Sequence, residues 1–199
     1  MKRKPFITIL TLCMALVFSA CGGDSSDDSS STSSPSSSTS EELAVITEMN
    51  FARTTPTGYV TSRLVPLRSS YTGGKLDALN ECISEMNAMT PVGSLTHDDG
   101  LYKAAAAWVQ EQGPTGTTGH DANTFSRIEH YYGSYRNVAE NIAYGPSTGV
   151  EIVRQLLIDY GVTGRTHRKN TLNGNLTKVG VSIGSHASYN YMCCIDFAN

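Results

Sequence analysis

Three short segments of this chain carry side chains able to bind a metal or move a proton, each set in apolar sequence. They are Gly119-His120, Ala139-Glu140-Asn141-Ile142 and Thr166-His167-Arg168-Lys169-Asn170. Two neutral imidazoles and one carboxylate, with water in the open positions, suit a divalent metal such as zinc. A free glutamate beside the ion can deprotonate that water, which makes Glu140 the candidate base of a hydrolase. The same groups can equally form a hydrogen-bonded network that only fixes loop geometry. A single histidine is more often structural or solvated than a ligand, so the three segments count together rather than alone. No nucleophile elbow, His-Glu-x-x-His helix or cysteine–histidine pairing points to another hydrolase. Asn141 and Asn170 read as hydrogen-bonders of turns and strand ends. Arg127 and Arg168 read as braces of the cleft loops or partners of aspartates, and His97, His130 and His186 as surface residues.

The elements that must position these groups follow from periodicity. Glu41 to Arg53 places Leu43, Ile46 and Met49 at helical spacing behind Ser40 as a cap, and Pro56 stops it. Gly58 to Leu64 can add a helical turn. Leu76 to Met89 puts Leu79, Cys82, Ile83 and Met86 on one face. Asp98 to Gln112 is helical with an alanine run, Ala104 to Ala107, that calls for close packing, and Gly113 to Gly119 breaks it. A further helix spans about Gly149 to Asp159. Lys178 to Gly184 and Tyr189 to Phe197, rich in Val, Ile, Tyr and Cys, form an antiparallel hairpin around Ser185-His186-Ala187-Ser188. Helices first and strands late predict an α+β fold with helices packed around a small antiparallel sheet.

The pattern Asn50-x-x-Arg53-x-x-Pro56-x-x-Tyr59, then Leu95 to Ala107, His120, Arg127, Glu140-Asn141-Ile142-Ala143-x-Gly145, His167-Arg168-x-Asn170 and Val179-Gly180-Val181 resembles the CAP superfamily. This family, also called the SCP domain, includes cysteine-rich secretory proteins, insect antigen 5 and plant pathogenesis-related proteins. Bacterial members with Ile-Asp-Asp-Gly-Val and Arg-Gly-His-Arg-x-Asn patterns are matched by Ile158 to Val162 and Arg165 to Asn170. The resemblance implies an α-β-α sandwich with an open cleft in which two histidines and two acidic residues can hold a divalent metal. His120 and His167 match the histidines and Glu140 the first carboxylate. Asp159 is the nearest candidate for the second, and its shorter side chain is expected to sit further from the cleft. Members of the family have been associated with lipid binding.

The ends of the chain concern location. Lys2, Arg3 and Lys4 precede an apolar run from Phe6 to Phe18, the n- and h-regions of a signal peptide and too short to span a bilayer. Val17-Phe18-Ser19-Ala20-Cys21 resembles a lipobox, which implies cleavage after residue 20 and acylation of Cys21, with palmitate among the expected chains. Residues 21–40, nearly all Ser, Thr, Gly and Asp, read as a flexible tether, and residues 41–199 as one domain, expected to be monomeric. Removing the leader's three cations leaves a formal charge of −6, with no basic stripe for nucleic acid. Cys82, Cys193 and Cys194 remain in an oxidising compartment. Cys193 and Cys194 face opposite ways on a strand, so Cys82 can reach only one of them. A Cys82–Cys193 bond is one expectation, and three small buried hydrophobes the other.

Three functions are consistent with this reading. The first is a lipid-anchored, extracytoplasmic binding module of the bacterial cell envelope, whose cleft holds a divalent metal and a lipid, glycan or peptide ligand. The second is a metal-dependent hydrolase or protease, and the third a structural or adhesive surface domain.

Overall fold

The computed structural model describes residues 38–199. The expected leader, the acylated Cys21 and most of the tether lie outside the described residues. Helix α1 (Ser40–Thr54) starts in a capping box, in which Thr39 accepts the Glu42 N–H and the Glu42 carboxylate accepts the Thr39 N–H at 2.6 Å. The cap therefore lies one residue before Ser40. The other Glu42 oxygen accepts the Ile183 N–H at 2.8 Å, which ties this cap to the sheet.

Next come α2 (Pro56–Tyr59), a wide π-helical turn over Val60–Leu64 and a tight turn over Val65–Ser69, then α3 (Gly73–Ala88). A two-residue strand, β1 (Thr96–His97), leads into α4 (Asp99–Gln112), whose N-terminal amides of Gly100 and Leu101 are capped by Asp98. Then follow α5 (Thr124–Tyr132), β2 (Val138–Tyr144), α6 (Gly149–Ile158), α7 (Thr166–Thr171), β3 (Lys178–His186) and β4 (Asn190–Ala198). Among the described residues no helix is long and apolar enough to cross a membrane.

The sheet has the order β1-β3-β4-β2. The β3–β4 hairpin and the β2–β4 pair are antiparallel as expected, while β1 adds a short parallel pair to β3, so the sheet is mixed. Strand alternation sorts its side chains onto two faces. Ala143, Val179, Val181, Cys193, Ile195 and Phe197 join a core with α1, α2, α3 and α6. Ile142, Met192, Cys194 and Ala198 instead meet α4 and α5. The result is an α-β-α sandwich.

The alanine run of α4 is explained on this second face, where β3 presents Gly180 and Gly184. A Cβ at Gly180 would lie 2.0 Å from the backbone of Leu101 and Tyr102, and one at Gly184 would lie 2.4 Å from Val109. Small residues on both partners let helix and sheet backbones nearly touch.

Cys82, Cys193 and Cys194 are free and buried, so the Cys82–Cys193 bond is not formed. Cys82 sits in the helical layer and its thiol points along its own helix to the Met86 sulfur at 3.7 Å. Burial pushes its pKa up to about 12, and the thiol behaves as a small hydrophobe.

Candidate functional site

A cleft of about 990 Å³ opens beside the edge strand β2, with His120, Asp159 and His167 in its lining. His120 follows Gly119, whose φ of +118° a side chain would resist. The Gly119 carbonyl accepts from Gln112 Nε2 at 2.9 Å and Trp108 Nε1 at 3.3 Å, and its N–H donates to the Tyr144 hydroxyl at 2.9 Å. Helix α4 and strand β2 thus both hold the turn that carries His120.

His120 Nδ1 lies 2.5 Å from Glu140 Oε1. The imidazole is half exposed, at 54%, while the carboxylate is 2% exposed. Behind it, Arg127 of α5 donates to Glu140, Thr124 donates to Oε1, and the Cys194 thiol contacts Oε2 at 3.3 Å. Arg127 also reaches Asp196, which faces Glu140 across the β2–β4 ladder, and Asp121. Its guanidinium lies 5.7 Å from the Trp108 ring.

This cluster holds two buried carboxylates and one guanidinium, so the two acids divide the charge unequally. Burial pushes Asp196 well above its usual range, with repulsion from Glu140 adding to it. Burial also opposes ionisation of Glu140, but its bond to His120 and the Arg127 cation outweigh that and lower its pKa. The structure therefore favours an ionised Glu140, a protonated Asp196 and a cationic Arg127. The hydrogen bond that His120 donates to Glu140 raises the His120 pKa against partial burial.

A second imidazole–carboxylate pair is formed by Asp159 and His167. Asp159, the C-cap of α6 in left-handed conformation, accepts the His167 N–H at 2.9 Å through Oδ2 and meets His167 Nδ1 at 2.8 Å through Oδ1. The expectation that the shorter acid would stand back from the cleft is corrected here. The helix ends one residue early, and the left-handed turn brings Asp159 to the N-terminal end of α7, where an aspartate is long enough.

Asn141 and Asn170 join the two pairs. Asn141, in the middle of β2 rather than at a strand end, donates to the His167 carbonyl at 3.0 Å and to Thr171 Oγ1 at 3.1 Å. Asn170, inside α7 rather than at a turn, donates to Asn141 Oδ1 at 2.9 Å. Glu140 and Asn141 point to opposite faces of β2, so one dipeptide serves both histidines. Arg168 does not enter the cleft. Buried behind α7, it donates to the Leu157 carbonyl at 2.6 Å and pairs with Glu81 and Glu85.

The donor set bears on where a metal can bind. Each His Nδ1 is engaged by a buried carboxylate, and neither Nε2 has a hydrogen bond among the described residues. A carboxylate on one ring nitrogen fixes the tautomer and leaves the other as a basic ligand atom. His120 and His167 therefore each keep one ring nitrogen available to a metal, while Glu140 and Asp159 hold the other as orienting partners. Glu140 is not the free base that the sequence allowed, since His120, Thr124, Arg127 and Cys194 occupy its oxygens. A second group, Glu140, Cys194 and Asp196, offers three buried donor atoms within 4.8 Å of one another, close enough to hold an ion. Arg127 bonds both of its carboxylates, so a cation entering there would have to displace the guanidinium.

His97 and His130 are exposed, as expected, but His186 is 2% exposed. Its Nδ1 accepts the Ser188 and Tyr189 N–H groups at 3.2 Å, and its Nε2 donates to the Thr117 carbonyl at 2.8 Å. The β3–β4 turn folds back over His186, the last residue of β3, a burial that no periodic pattern announces. Asp196 and Cys194 were likewise missed as site residues, because only the β2–β4 register places them behind Glu140.

Comparison with known proteins gives a match over residues 47–197 to the family described as CAP, the cysteine-rich secretory protein family. The Bacillus subtilis protein YkwD, described as uncharacterized, is 34% identical over 88 residues; the match covers 42% of this chain and 32% of YkwD, about a third of that relative's length. An outer surface protein from Borrelia burgdorferi aligns with a TM-score of 0.47 and 19% identity over 63% of this chain and 88% of that one. An extracellular SCP-domain protein from Bacillus anthracis aligns with a TM-score of 0.45 and 22% identity over 62% and 38%.

Proposed function

The chain belongs to the cysteine-rich secretory protein (CAP) family, and from that premise we propose a lipid-anchored, extracytoplasmic binding protein whose cleft holds a divalent metal through His120 and His167. The observation that carries the proposal is the pair of imidazoles lining one cleft, each with Nδ1 bound to a buried carboxylate and Nε2 unengaged. Zinc in such a site supplies a Lewis acid for an oxygen-bearing ligand. The chain's own groups hold the tautomers: Glu140 and Asp159 keep each Nδ1 protonated, and Asn141 links the β2 backbone to α7.

The hydrolase reading loses ground on one observation. Glu140 is buried and fully engaged, so no carboxylate of the two pairs is free to take a proton from water. Support for the anchor comes from the charged n-region, the apolar run and Cys21 at the expected cleavage site; on this reading the protein acts at a membrane, in reach of envelope ligands. The test is a zinc-dependent thermal shift of the full chain beside His120→Ala and His167→Ala. Wild type is expected to gain stability with zinc and each variant to lose the gain; a shift that survives both substitutions contradicts the assignment.

A further inference from the structure

Resting on the reading of this cleft as a binding site, we propose that its organic ligand is an oligosaccharide, stacked on Tyr160 and Tyr189. Both tyrosines line the cleft, and they are among the most exposed large hydrophobic side chains of the domain, at 59% and 49%. Each is held from behind. The Tyr160 ring lies against Gly74, where a Cβ would come within 3.1 Å of it. The Tyr189 ring packs with Tyr144 at 5.5 Å and His186 at 5.4 Å, and His186 Nδ1 accepts its backbone N–H. Aromatic rings packed on one side and open to the cleft on the other suit a stacking surface.

Beside apolar residues such as Leu67, Ile142 and Val162, the cleft carries polar groups that a sugar can use. A pyranose offers C–H bonds with slight positive charge to a ring's negative face, and a rim of hydroxyls that need hydrogen-bonding partners. Lys75, Glu151, Arg154 and Gln155 line the same cleft. Arg154 Nη1 and Nη2 and Lys75 Nζ make no hydrogen bond among the described residues, while Lys75 Nζ sits 4.2 Å from the Tyr71 ring centroid. An acyl chain laid here would strip water from these charged groups without replacing it. The cleft volume, about 990 Å³, is at the upper end of the roughly 300–1,000 Å³ typical of small-ligand clefts, room for several sugar rings.

The test is calorimetric titration of chitohexaose and cellohexaose into the full chain, in EDTA so that metal binding is separated from stacking. Phosphatidylglycerol vesicles form a parallel arm. Wild type is expected to bind at least one oligosaccharide saturably, Tyr160→Ala and Tyr189→Ala to weaken it roughly five- to tenfold each, and the Phe variants to stay within about threefold of wild type. All four variants are expected to keep the zinc-dependent thermal shift. No saturable binding of either sugar up to about 10 mM, or vesicle binding that depends on these tyrosines in its place, overturns the proposal. Loss of the zinc shift in the histidine variants with no sugar binding by wild type would leave the metal site standing and remove the glycan alone.

Discussion

Asp159 contacts His167 twice, through the ring nitrogen Nδ1 at 2.8 Å and through the backbone N–H at 2.9 Å, using a different carboxylate oxygen for each. The double contact orients the ring and caps the short helix that carries it. Asp159→Asn keeps an amide able to satisfy one contact and tolerates the left-handed backbone, but gives up the charge that makes Nε2 a better ligand. Zinc affinity is expected to fall about 10- to 100-fold with little loss of stability. Competition against a chromophoric chelator measures it, and unchanged affinity would mean that His167 is not a ligand.

The Glu140–Asp196 pair sets a pH dependence. Asp196 keeps a proton in the folded state that the unfolded chain releases near 3.8, so folding stability declines as pH rises from there through its elevated folded pKa. Glu140 acts in the opposite sense: its stabilisation is present above 4.5 and lost as pH falls through its lowered folded pKa. The raised His120 pKa gives stability that is complete below 6.5 and lost as pH climbs through the folded value. Asp196→Asn, which imitates the protonated acid, is expected to flatten the decline toward higher pH. Urea melts over a pH series read this directly, and parallel curves for wild type and variant would refute the assigned proton.

Gly180 is where the second helical layer meets the sheet. Gly180→Ala places a methyl group 2.0 Å from the α4 backbone, an overlap no rotamer relieves. A loss of about 3 kcal/mol or more is expected, read as a lower denaturation midpoint; a cost under about 1 kcal/mol would mean that α4 can move away from β3 freely.

Arg53 is buried without a carboxylate partner, its guanidinium donating to the carbonyls of Gly93, Thr171, Asn173 and Leu176 at 2.8 to 3.1 Å. It binds α1 to the loop before β1 and to the one between α7 and β3. Arg53→Met fills the volume but leaves three of the four acceptors unpaired, since only the Asn173 carbonyl keeps another bond, from the Leu176 N–H, for an expected loss of roughly 3–5 kcal/mol. Thermal melts that show less than about 1 kcal/mol would reduce this clamp to a packing contact.

The long elements were legible because their signals are local. The apolar faces of α1, α3, α4 and α6 and the alternation of β3 and β4 are written into consecutive residues, and the alanine run of α4 announced its close packing. Strand β2 was not legible, because Glu140 and Asn141 interrupt a seven-residue strand whose two faces serve different helices. Helices α5 and α7 are short and rich in polar residues, and α7 is fixed by Asp159 from outside. Within the site, His120, Glu140 and His167 stood out by residue type, and the resemblance to the family grouped them as one set and singled out Asp159. Their division into metal-facing rings and orienting carboxylates was not, since it depends on which ring nitrogen each acid reaches. Asp196 could have been found only from the pairing of β2 with β4.

The zinc reading concentrates in one experiment, a crystal structure of the zinc-loaded protein with the ion located by anomalous scattering. A single ion is expected in the cleft, about 2.0–2.1 Å from Nε2 of both His120 and His167, with the Nδ1 bonds to Glu140 and Asp159 kept. An ion seated instead among Glu140, Cys194 and Asp196 with Arg127 displaced, or a cleft whose histidines bind nothing, would overturn the assignment to the two histidines.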